Sequence, residues 1–163
     1  MFGMSLFDRI LRVVENWEPE KDYSKERGYR GDLLDFLRKE LNETEPFAIG
    51  LQRRIKVSPE SGRHLCDMGV GKEIGIELKK DLRSLKQVDQ LTGQLNRFLR
   101  EYSNLIVVLV GEVDNNAYEE LENQIKDLTK DTSIPISLAQ GPRIDVIDKS
   151  LEELEEKKPR RSL

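Results

Sequence analysis

Apolar residues recur every three or four positions near the start of the chain. Leu6, Phe7, Ile10, Leu11, Val14 and Trp17 fall on one side of a helix expected over Ser5–Trp17, which stops before Pro19. Its polar face is not rich in Lys or Arg, so the apolar face is expected to pack on the domain or on a second copy rather than on a membrane. After a linker at Glu18–Asp22, a second helix is expected from Ser24, a candidate N-cap, to Leu41, with Tyr29, Leu33, Phe36, Leu37 and Leu41 as its stripe. The period then changes to two: Phe47, Ile49 and Leu51 alternate on a strand expected over Phe47–Val57. A turn is read at Ser58–Gly62, short strand material around His64–Met68 and another strand over Glu73–Lys79.

Helical spacing returns over Ser84–Tyr102, with Leu85, Val88, Leu91, Leu95, Phe98, Leu99 and Tyr102 as the buried stripe. The unbroken apolar run Leu105–Val110 predicts a strand covered on both faces. A helix over Asn116–Lys130 and a short strand over Arg143–Ile147 follow, and the charge-dense Leu151–Leu163 is expected to fray. There are no internal repeats. Antiparallel strands followed by a strand–helix–strand crossover imply an α/β sandwich with a mixed sheet. The organisation read from this order is an N-terminal helix at 1–18, one domain at 19–150 and a charged tail at 151–163.

A length of 163 residues suits one domain with its own core. One cysteine, Cys66, excludes a disulfide framework and fits a reducing compartment. Neither a membrane-length apolar run nor a secretory signal pattern is present, so a cytoplasmic location and no membrane partner are expected. The net charge of -4 argues against a generic nucleic-acid coat protein, yet Arg53–Lys86 holds nine Lys/Arg against five Asp/Glu. A local phosphate-binding surface on an acidic molecule, or an ordinary solvated face, accounts for that surplus.

The candidate chemistry lies inside that segment. Asp67, Glu77 and Lys79 are spaced D-x9-E-x-K. On a strand, Ile74, Ile76 and Leu78 share one face and supply core; Gly75, Glu77 and Lys79 share the other, with the glycine expected to leave room. If the chain doubles back through Gly69 and Gly71, Asp67 comes beside Glu77, and two hard oxygen ligands suit Mg2+ completed by waters and substrate phosphates. A solvated amphipathic strand gives the same spacing by chance, in which case the groups do not converge. His64 and Cys66 are too few for structural zinc, no nucleophile elbow is present, and Gly69-x-Gly71 lacks the third glycine of a dinucleotide loop.

Asp67 and Glu77-Leu78-Lys79 in this element order resemble the PD-(D/E)XK nuclease superfamily over roughly Ser24–Val110. Small archaeal and bacterial members of unassigned function are most similar, with Holliday-junction resolvases and RecB-type nuclease domains as more distant analogues. The resemblance implies a restriction-endonuclease-like three-layer α/β sandwich, with a central mixed β-sheet flanked by helices. It implies metal-dependent hydrolysis of phosphodiester bonds in DNA, with RNA ranked behind, using Mg2+ or Mn2+ held by Asp67 and Glu77, with a helix carboxylate binding a metal-bound water or a second metal. Glu26 matches that carboxylate, with Asp22, Asp32 and Asp35 as rivals and Asp22 foremost among them. Lys79 would orient the attacking water or stabilise charge on the phosphoryl oxygens. Gln94 would position water or a phosphate oxygen from the following helix, where Gln87 and Gln90 also lie. Arg53, Arg54, Lys56, Arg63 and Gln90 are candidates for nucleic-acid contact, or a solvated face. A homodimer built on the Ser5–Trp17 helix is a further expectation, and a non-catalytic binding module of the same fold is the alternative function.

Overall fold

The computed structural model describes residues 3–43, 55–130 and 142–156. Five strands form one sheet in the order β1 (Val57–Ser61), β2 (Cys66–Val70), β3 (Ile74–Leu82), β4 (Asn104–Val113) and β5 (Arg143–Ser150). β1, β2 and β3 pair antiparallel, whereas β4 runs parallel to both β3 and β5. The sheet is therefore mixed, as expected from short hairpins followed by helical crossovers. The crossovers are α3 (Leu85–Phe98), between β3 and β4, and α4 (Asn115–Thr129), between β4 and β5.

Alternation along the strands divides the core in two. Ile74, Ile76 and Leu78 of β3 and Ile106, Val108 and Val110 of β4 pack with α1 (Leu6–Asn16) and α2 (Glu26–Glu43). Leu105, Val107 and Leu109 pack with α3 and α4 on the other face. That is why the run Leu105–Val110 carries no polar position.

α1 begins at Ser5, whose hydroxyl accepts from Asp8 N, and its apolar face is consumed inside the chain: Phe7, Ile10, Val14 and Trp17 are all buried in the core shared with α2. Leu6, Leu11 and Val13 of the same helix are partly buried against that core. Trp17 Nε1, Glu20 N and Tyr23 OH all donate to the Asp32 carboxylate, at 3.0, 2.9 and 2.8 Å. This network ties the linker to α2 and fixes where the second helix starts. α3 has a full capping box: Gln87 N donates to Ser84 Oγ and Ser84 N to Gln87 Oε1.

Several boundaries differ from the sequence expectation. α2 begins at Glu26, two residues after Ser24. Ser58–Ser61, read as a turn, belongs to β1, the outermost strand among the described residues, with Pro59 opposite Met68; proline is tolerated on such a strand because one row of its backbone N–H groups faces away from the ladder. The turn lies at Gly62–Leu65 and contains His64. Most of the expected strand Phe47–Val57 lies outside the described residues, as do Arg53 and Arg54. Leu151–Glu156, the start of the segment expected to fray, forms the short helix α5.

Candidate active site

The backbone ladder between β2 and β3 is limited to Met68–Ile76, Gly69–Gly75 and Val70–Ile74. Beyond it the strands part, and side chains bridge the fork. Asp67 N donates to Glu77 Oε2 at 3.1 Å, while Leu78 N donates to Asp67 Oδ2 at 2.9 Å. The Cys66 thiol reaches the Ile76 carbonyl at 3.3 Å. Each carboxylate is thus aimed by a backbone N–H of the opposite strand. Glu77 stays rigid because β3 continues its parallel ladder with β4 there, opposite Val107.

α2 brings two further groups to the fork. Arg30 Nη1 pairs with Asp67 Oδ1 at 3.1 Å. Glu26, one turn earlier on the same helix face, accepts from Lys80 N at 2.9 Å. The Lys80–Leu82 stretch is a bulge in which Asp81 adopts φ 58°, so Glu26 satisfies backbone displaced from regular pairing. Among the four acidic candidates near α2, Glu26 is thereby the one tied to β3, whereas Asp32 is consumed by the linker network.

Electrostatics mark this cluster. Asp67 and Glu77 are only 9% and 8% exposed. Burial raises the Glu77 pKa to about 8, and the adjacent Asp67 and nearby Glu26 add repulsion, against the Asp67 N–H and Arg30. Burial likewise raises Asp67, with Glu26 adding to it, while the Leu78 N–H and Arg30 oppose the rise. Two buried carboxylates beside a third are unfavourable without positive charge nearby. Arg30 supplies some, yet its own Nε is buried with no hydrogen-bond partner among the described residues.

Lys79, two positions beyond Glu77 on the same strand face, is half-buried, and its side chain makes no hydrogen bond or ion pair with another described residue. It lines a cleft with Gln90, Gln94 and Arg97 of α3. Gln94 and Gln90 are exposed on that helix, with no hydrogen bond to the carboxylates among the described residues. Gln87 is committed to the helix cap. Lys56 and Arg63 are exposed on and beside the β1–β2 hairpin.

Glu26, Asp67 and Glu77 therefore come together, with Lys79 on the strand face of Glu77. Among the described residues, however, no three His, Cys, Asp or Glu side chains form a group placed to hold one metal ion. The donor chemistry fits a hard cation bound by the Asp67–Glu77 pair and completed by water or phosphate oxygens, which is how Mg2+ is commonly held. Glu26 stands beside this pair and accepts from Lys80 N through one of its two oxygens, Oε2.

Gly75 differs from expectation. A Cβ there would lie 2.9 Å from both Leu105 Cδ2 and Tyr102 Cδ2 and 3.1 Å from Cys66 Sγ. The glycine admits core side chains and opens no space for a substrate. Arg30 is the site group that pattern reading missed; its spacing of four from Glu26 was the available signal.

No helix among the described residues is long and apolar enough to cross a membrane. No protein-family model matches the chain, and neither does any curated protein or solved structure.

Proposed function

We propose that this chain is a metal-dependent nuclease of the PD-(D/E)XK type, with a restriction-endonuclease-like fold, hydrolysing phosphodiester bonds in DNA in preference to RNA. The observation that carries the reading is the fork between β2 and β3: two buried carboxylates, each aimed by the other strand's backbone, with Lys79 on the strand face of Glu77 and its ammonium unpaired among the described residues. A decorative surface triad has no reason to be buried, because burial penalises both charges.

Asp67 and Glu77 would hold Mg2+ or Mn2+, which when bound supplies Lewis-acid polarisation of the phosphate and a more acidic water. The chain's own contribution is positioning. The Leu78 and Asp67 N–H groups fix the two carboxylates before substrate arrives. Glu26 anchors the start of α2 to the β3 bulge and adds negative charge beside the pair. Lys79 would stabilise charge growing on the phosphoryl oxygens or orient the attacking water. Gln94 and Gln90, across the same cleft, would hold a water or a phosphate oxygen, with Lys56 and Arg63 contacting the backbone of the strand.

A second reading, a non-catalytic binding module of this fold, is favoured by one observation: Arg30 already pairs with Asp67 and partly balances the site without a cation. The two are separated by incubating labelled single-stranded, duplex and branched DNA with Mg2+ or Mn2+, comparing the wild type with Asp67→Asn. Metal-dependent cutting that disappears in the variant supports the nuclease. Binding without cutting, alike in both proteins, supports the module.

A further inference from the structure

The β1–β2 pairing ends at Ser61 opposite Cys66, leaving Gly62, Arg63, His64 and Leu65 as the hairpin tip. This tip has an unusual build. Leu65 has φ 55° and is 64% exposed, a bulky apolar side chain in a backbone region that suits glycine or asparagine. Glu60, on the other side, has φ 42°, and Gly62 has φ 82°. The tip is nevertheless held in place. Arg63 N donates to Glu101 Oε1 at 2.6 Å. A Cβ on Gly62 would lie 2.1 Å from Glu101 Oε2, so the carboxylate of Glu101 is seated against the glycine.

A clamped loop that presents a solvent-facing leucine in an unfavourable conformation violates local preference twice, and such violations cluster at functional sites. Its location supplies the partner. Leu65 is two residues from Asp67, and two residues span at most about 7 Å. Nucleotides in one strand of a duplex rise about 3.4 Å each. With the reach of both side chains added, what the tip touches is therefore within a few nucleotides of a phosphate held at Asp67. The exposed Arg63 beside it suits a phosphate, and an exposed leucine suits a gap between stacked bases, where apolar side chains act as wedges.

We propose that the tip of the β1–β2 hairpin is a nucleic-acid contact in which Leu65 wedges against a base step next to the cleavage position. The proposal rests on the nuclease reading and adds the means by which the bound strand is deformed. It is tested with the whole chain in Ca2+, on duplexes carrying 2-aminopurine at successive positions. Polarisation reads affinity, 2-aminopurine fluorescence reads unstacking, and cleavage is assayed separately in Mg2+. Wild type should brighten the reporter only within a few nucleotides of the cut. Leu65→Asn and Leu65→Gly should bind roughly tenfold more weakly and lose the brightening. Both should melt at or above the wild-type temperature, because each accepts the backbone that leucine does not. Wild-type binding and brightening in both variants would overturn the wedge while leaving the nuclease standing. A markedly lower melting temperature in both would overturn it too, by making Leu65 a structural residue. A wild type that neither binds nor cuts would remove the nuclease reading, and the wedge with it.

Discussion

Replacing Glu77 by Gln removes a buried charge while keeping an oxygen that accepts from Asp67 N. In the folded chain burial holds the Glu77 proton to about pH 8, against 4.5 for the exposed group. Between those values the folded state binds more protons than the unfolded state, so stability must fall as pH rises. Below about 4.5 both states are protonated and the penalty vanishes; above about 8 it is complete. A rise of that size corresponds to about 5 kcal/mol at most. For a chain of this length that is a melting temperature lower by roughly 10–20 °C at pH 8.5 than at pH 5, from this group alone. Melting wild type and Glu77→Gln side by side in EDTA from pH 5 to pH 8.5 isolates the effect, because the other groups contribute to both curves. The two should nearly coincide at pH 5 and diverge with pH, the variant being the more stable at pH 8.5. Parallel curves would refute the reasoning, since they would mean that Glu77 loses its proton at an ordinary pH.

Three other outcomes follow from the same geometry. Lys79→Met should lower the rate of metal-dependent DNA cleavage by about 10²-fold or more while leaving metal affinity near wild type, as measured by single-turnover assays beside calorimetry. Arg30→Met should destabilise the metal-free protein at neutral pH by roughly 1–3 kcal/mol, because Asp67 loses its charged partner in a buried setting, and urea denaturation reads this directly. Gly75→Ala should cost about 1–3 kcal/mol in the same assay, because the new methyl meets Leu105 and Tyr102; an unchanged midpoint would show that those side chains yield freely.

Much of this architecture is legible in the pattern of apolar positions. α1, α3 and α4 carry strong helical periodicities and β4 an unbroken apolar run, and the structure places each within a few residues of its expected bounds. The face assignment on β3 also holds, because strict alternation leaves Ile74, Ile76 and Leu78 no other side. β1 was hidden because Ser58, Pro59 and Ser61 have turn composition, and only a partner strand makes a strand of them. Ser24 has the right chemistry for a cap, but α2 starts two residues later, at Glu26, after the Asp32 network has fixed the linker. The site was half legible. The spacing of Asp67, Glu77 and Lys79 gave the strand groups, whereas Arg30 enters by tertiary contact across a sequence separation of 37. Gly75 misled because a missing side chain reads equally as an opening and as a place that neighbours fill.

The central claim is that Asp67 and Glu77 form a divalent-cation site. Calorimetric titration of Mn2+ into the whole chain at pH 7, repeated in two buffers of different ionisation enthalpy, tests it most directly. Metal binding must displace the proton that Glu77 retains to about pH 8. One Mn2+ should therefore bind with release of close to one proton, and Glu77→Gln should lose both the affinity and the proton. No binding by the wild type, or equal binding by the variant, would contradict the claim.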